Sequence, residues 1–138
     1  MKFYIAARFA FKDLVREIYR KIQERGHEVI GDWTIHKETK PYDQNLELAR
    51  EYAIEDIDSA RNCDCLVLVS DSAGTGMYAE LGVAISSYLE RGKPMIYVIG
   101  DNRARSMFFF HPSVNRKFSI IEEILDDVDR ITKTRSPL

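Results

Sequence analysis

The sequence predicts an α/β protein, with a doubly wound, mostly parallel sheet flanked by helices, and three features of the 138 residues carry that reading. Short apolar runs alternate along the chain with segments of helical spacing. One run, "CLVLV" at 65 to 69, is apolar at nearly every position, as a strand covered by helices on both faces requires. Glycines stand where the first and third helical segments should stop, at Gly26 and Gly92.

The elements follow in order. "FYIAA" (3 to 7) is the first strand, and Phe11, Leu14, Val15, Ile18, Tyr19 and Ile22 form the stripe of a first helix. "HEVIGDW" (27 to 33) predicts a second strand. Residues 34 to 45 are polar, contain Pro41, and make a connection longer than the usual four to six residues, a length that tends to mark function. Leu46, Ala49, Ala53, Ile57 and Ala60 repeat at three and four residues as the apolar face of a second helix. Beyond the central strand, Met77, Leu81, Ala84, Ile85 and Tyr88 mark a third helix, and "KPMIYVIG" (93 to 100) supplies the next strand. Ser119 and Glu122 predict a capping box for a last helix, "SIIEEILDDVDRI". One domain over 1 to 130 and a flexible tail over 131 to 138 account for the whole chain, which is long enough for a single core and too short for two.

Composition narrows the partners. With 45% hydrophobic and 30% charged residues, the chain has the balance of a soluble globular protein. A net charge of −2, with Lys and Arg dispersed, argues against a nucleic-acid polymer and leaves small molecules open. The opening "MKFYIAARFAF" is broken by Arg8 and is too short for a signal peptide or membrane span, so a cytoplasmic protein with no membrane partner is expected. Cys63 and Cys65 lack neighbouring ligands, and His27, His36 and His111 lie far apart, so no metal and no cofactor are expected.

The stretch "SDSAGTGMYAELGVA" (70 to 84) leaves the central strand and enters the third helix. In such sheets ligands bind beyond the carboxyl ends of strands, near the point where strand order reverses. Gly74 and Gly76 flank Thr75 and free the backbone to approach a ligand at a helix start, although a tight turn reads equally well. The stretch lacks the lysine of a P-loop and the spacing of a dinucleotide fingerprint. At about 100° per residue, Glu80 lies roughly 80° from the centre of its apolar stripe, and Asp56 about 60° from the centre of the preceding one. Both carboxylates therefore sit at the edges of buried faces. Periodicity by itself equally allows an ordinary first-turn glutamate, favoured by the helix dipole, and a solvated aspartate.

"FYIAARF", "EDIDSARNCDCLVLVSD" and "GTGMYAELGVAISSYLERGKP" together resemble the nucleoside 2-deoxyribosyltransferase family, including its branch of 2'-deoxynucleoside 5'-phosphate N-hydrolases. The likeness spans roughly residues 3 to 100 and implies a flavodoxin-like domain that cleaves or transfers at an N-glycosidic bond. It also implies Glu80 as the nucleophile on C1', Asp56 as the acid beside the departing base, and Tyr4 as the group that holds the nucleophile. Those duties fit the logic of retaining glycosidases, in which one carboxylate attacks and the other handles the proton.

The likeness departs at Gly74, where the transferases carry aspartate and the phosphate-preferring hydrolases serine; Asp71 or Ser72 is the available substitute for contact with the sugar or its 5' substituent. The family also borrows a polar residue from a neighbouring subunit, for which Ser106 is the candidate, so a homo-oligomer is expected. Arg103 and Arg105 are candidates for a 5'-phosphate, against simple solvation. Met107 to Phe110 form an apolar run suited either to an interface or to the core. Trp33, His36 and Tyr42 are placed to close over a base, or in the case of Trp33 to pack at a strand end. Competing readings are a TIR-like nucleotide-sensing or interaction module on the same architecture and an NAD glycohydrolase, which needs a glutamate in a similar place and for which the long polar loop and Gly74 leave room.

Overall fold

The computed structural model describes residues 1–134. It is an α/β domain with a five-stranded, all-parallel sheet flanked by four helices, and its strand order is that of a flavodoxin-like fold. The strands are β1 (Lys2–Ala6), β2 (Glu28–Val29), β3 (Cys65–Val69), β4 (Met95–Ile99) and β5 (Val114–Asn115), and they lie in the order β2-β1-β3-β4-β5. The helices are α1 (Lys12–Glu24), α2 (Leu46–Asn62), α3 (Met77–Arg91) and α4 (Ile121–Thr134).

β3 occupies the middle of the sheet and every one of its residues is buried, which is why its sequence shows no alternation. Its register sets Tyr4 of β1 opposite Leu66, and Leu66 opposite Ile96 of β4. α1 and α4 pack together on one face, tied at the rim by Lys21–Glu122 and Arg25–Asp126, while α2 and α3 cover the other. α1 buries Val15, Ile18, Tyr19 and Ile22, as its spacing predicts, although Leu14 stays exposed.

The second strand is shorter than predicted. Only Glu28 and Val29 pair with β1, because Gly31 turns the chain at a φ of +65° and Trp33–Ile35 then form a 3₁₀ turn. A Cβ on Gly31 would lie 2.9 Å from the Tyr4 ring and closer still to Ser59, so only glycine lets this turn press against the sheet. β5 was not anticipated; two residues flanked by polar ones give no periodic signal.

The start of α4 also differs in detail. The Ser119 amide and hydroxyl both donate to Glu123 and not to Glu122, since the helix begins at Ile121. The helix continues to Thr134, so the first half of the predicted tail is helical, and the rest lies outside the described residues. Among the described residues no helix is long and apolar enough to cross a membrane.

Strand order reverses between β1 and β3: the chain leaves β1 toward β2 and returns across it to β3. The loops that follow these two strands, 7–11 and 70–76, therefore diverge and leave a crevice at their carboxyl ends.

Candidate active site

A cavity of about 1060 Å³ opens in this crevice, bounded by the loop after β1, the loop into α3, α2 and the polar connection 36–42. Glu80, in the first turn of α3, and Asp56, in the middle of α2, both line it. Tyr4 reaches Glu80 from β1 and donates its hydroxyl proton to Glu80 Oε1 at 2.9 Å. Three residues separated by as many as 76 positions thus converge because the β1–β3 pairing brings β1 under α3.

Burial controls the chemistry of this group. It pushes Glu80 up to about 8; the Tyr4 hydrogen bond pulls downward, and the negative charge of Asp56 adds to the rise. Asp56 rises to about 6, again chiefly from burial, with His36 opposing and Glu55 reinforcing. Its Oδ1 is buried and has no hydrogen-bond partner among the described residues, leaving one oxygen for an incoming group. Tyr4 is held well above its ordinary value by burial and by Glu80 and Asp56, so it remains a donor. Of the two carboxyls Glu80 is pushed the higher, so it holds its proton at pH values where Asp56 has already lost its own.

Gly74, Thr75 and Gly76 line the cavity as the sequence suggests. Gly74 takes a φ of +83°, and a Cβ there would press on Met77 and Arg8 at 3.1 and 3.2 Å, so the backbone comes close where a side chain would not fit. Asp71 and Ser72 do not line it. The buried Asp71 carboxylate pairs with Arg8 Nε at 2.5 Å instead. Burial raises its pKa, yet the Ala73 and Ser72 amides and Arg8 outweigh that and hold it below the ordinary value. Ser106 is also outside the cavity of its own chain, where its hydroxyl caps the 3₁₀ turn Met107–Phe110 by accepting from the Phe108 amide.

Arg103 and Arg105 are neither free nor turned to the cavity. Arg103 donates to the carbonyls of Gly100 and Arg116, and Arg105 to those of Asp71 and Ala73. Loop carbonyls hold both guanidinium groups. In the run that follows, Phe109 is core, whereas Met107, Phe108 and Phe110 are 76%, 55% and 53% exposed. Cys63 and Cys65 are free, buried thiols.

The polar connection forms the outer wall. Trp33 is buried, fixed by its indole N–H on the Ile5 carbonyl at 2.6 Å, and still presents a surface to the cavity. His36 stacks flat on Tyr52, centroids 3.6 Å apart, and its Nε2 lies 3.1 Å from Glu55 Oε2. The Tyr52 hydroxyl accepts from the Lys37 amide, and the Asn45 side chain donates to the carbonyls of Thr39 and Pro41. Tyr42 lies on the same wall.

Arg8 and Tyr52 are site residues that sequence reasoning passed over. Arg8 interrupts an apolar run just past a strand's carboxyl end, where a ligand site is expected, and that placement was a usable signal. Tyr52 had none, because it lies off the apolar stripe of α2. No protein-family model matches the chain, and no curated protein matches it. The arrangement offers two half-buried carboxyls on one cavity, a hydroxyl that orients one of them, backbone at a helix start, and aromatic walls. Among the described residues no group of three or more His, Cys, Asp or Glu side chains is arranged to hold a metal ion.

Proposed function

We propose that this protein cleaves or transfers at the N-glycosidic bond of a nucleoside or nucleoside 5'-monophosphate, with Glu80 as nucleophile. The observation that carries the reading is the Tyr4–Glu80 hydrogen bond in a cavity that Asp56 shares. A lone first-turn glutamate would sit in water; this one is half-buried, oriented by Tyr4, and raised in pKa by burial and by the charge of Asp56.

The chemistry follows from one proton on two carboxyls. As the C1'–N bond lengthens, the positive charge developing at C1' favours ionised Glu80, and the proton Glu80 gives up passes to Asp56. Glu80 then bonds to C1', the C1'–N bond breaks with its electron pair leaving on the base, and Asp56 delivers the proton to that base. Water resolves the glycosyl-enzyme ester if it gives a proton back to Asp56 as its oxygen bonds to C1' and Glu80 departs. A second base in place of water makes the reaction a transfer. Tyr4 keeps Glu80 in line and accompanies its charge through both steps. The resemblance of "FYIAARF" and "AELG" to the deoxyribosyltransferase family supports the same assignments.

The cavity exceeds the size typical of small-ligand sites, which favours keeping NAD among the substrates tested. The test is release of free base from deoxynucleosides, ribonucleosides, their 5'-monophosphates and NAD, with and without an acceptor base. Release should fall by at least about 10³ in Glu80→Ala while substrate binding persists. Binding without release from any of them would instead favour a sensing module.

A further inference from the structure

The loop that enters α3 is held on the side away from the cavity by the segment after β4. Ser70 Oγ accepts from the Asn102 amide at 3.0 Å, and Tyr78, in the first turn of α3, stacks on buried Phe109 at 5.8 Å. Between these two contacts stands Arg105, whose Nη1 lies 3.1 Å from the Ala73 carbonyl, 3.2 Å from that of Asp71, and 3.5 Å from that of Gly74. The Tyr78 hydroxyl is 3.4 Å from the same nitrogen. Arg105 does not line the cavity, whereas Gly74 and Thr75 do.

The orientation of the peptide groups gives this geometry a consequence. In a trans peptide the N–H points opposite to the carbonyl. Carbonyls of Ala73 and Gly74 gathered on Arg105 therefore turn the N–H groups of Gly74 and Thr75 the other way. The amides of Ser72 and Ala73 are engaged by the Asp71 carboxylate. Those of Gly74 and Thr75 have no acceptor among the described residues. On the opposite flank Arg8 grips Asp71, so two arginines brace the loop from its two sides.

We propose that Arg105 is a positioning residue: by collecting the carbonyls of Asp71, Ala73 and Gly74 it aims the Gly74 and Thr75 N–H groups at a substrate oxygen that a nucleoside and its 5'-monophosphate share. The inference rests on the reading that this cavity binds the substrate. It separates the role of Arg105 from that of a direct phosphate ligand, which would touch the substrate itself. Because Tyr4 holds Glu80 by another route and Asp56 stands on α2, loss of Arg105 weakens substrate binding more than the chemical step.

Two measurements on the full chain test it. In Arg105→Ala, KM should rise about tenfold with kcat changed less than about threefold, to the same degree for a nucleoside and its 5'-monophosphate. Millimolar guanidinium should recover part of the loss in this variant and none in Glu80→Ala. A loss confined to the 5'-monophosphate, or a fall in kcat at constant KM, would overturn the proposal. Amide hydrogen exchange reads the brace without any substrate. The amides of Ala73 and Tyr78 should exchange at least about tenfold faster in Arg105→Ala, while amides of β3 keep their protection. Unchanged exchange at Ala73 and Tyr78 would overturn the proposal even if the enzyme is active. Faster exchange with no base release from wild type would leave the brace standing and refute the functional reading.

Discussion

α1 and α2 present apolar stripes of the same period, yet one builds the core and the other a wall of the cavity. α1 buries Val15, Ile18, Tyr19 and Ile22 against the sheet. α2, a longer helix, buries only Ala60. Ala49, Ala53 and Ile57 of its stripe line the cavity beside Asp56, and Leu46 is exposed. Small residues in the stripe of a helix next to a strand-order switch point here mark a cavity wall, since alanines leave room that a core would have filled. That contrast also explains Asp56: at the edge of a core stripe a carboxylate would be excluded, but at the edge of a cavity wall it is partly buried and keeps an oxygen free.

The contrast can be broken by substitution. Asp56→Asn, on the wall, should lower kcat by about 10² to 10⁴ with little change in fold, measured by base release and by thermal unfolding. Ile22→Ala, in the core stripe, should cost about 2–5 kcal/mol of stability with kcat per folded molecule unchanged. The burial of Glu80 should itself be visible as a stability cost. Its pKa is raised from an ordinary 4.5 to about 8, so the folded state is favoured below the lower value and loses stability as pH rises through the higher one. Glu80→Gln should remove that slope and exceed wild type by up to about 4 kcal/mol at pH 8, as judged by denaturant unfolding across pH. The smallest effect on folding belongs to Ala53→Leu, within about 0.5 kcal/mol, while the added side chain enters the cavity and raises KM.

Most of the fold was legible because its signals are local. β1, β3, β4 and the four helices announce themselves by apolar runs, periodicity and the stops at Gly26 and Gly92. β5 and the shortened β2 were not, since two-residue strands owe their existence to pairing with neighbours already in place. Within the site, Glu80, Asp56, Tyr4 and the Gly74–Gly76 backbone converge as the sequence suggests. Asp71, Arg103 and Arg105 do not line the cavity because a salt bridge and loop carbonyls compete for the same groups, and such competition has no period; Ser72 lies outside it as well. Periodicity reports which face of a helix is apolar. It is silent on whether that face meets protein or space.

The most direct test of the central claim is mass spectrometry of the protein quenched during turnover. A retaining mechanism through Glu80 predicts a covalent sugar on the peptide that contains Glu80, assigned to that residue by fragmentation and absent in Glu80→Gln. Base release with inverted configuration at C1' and no sugar on Glu80 would contradict it.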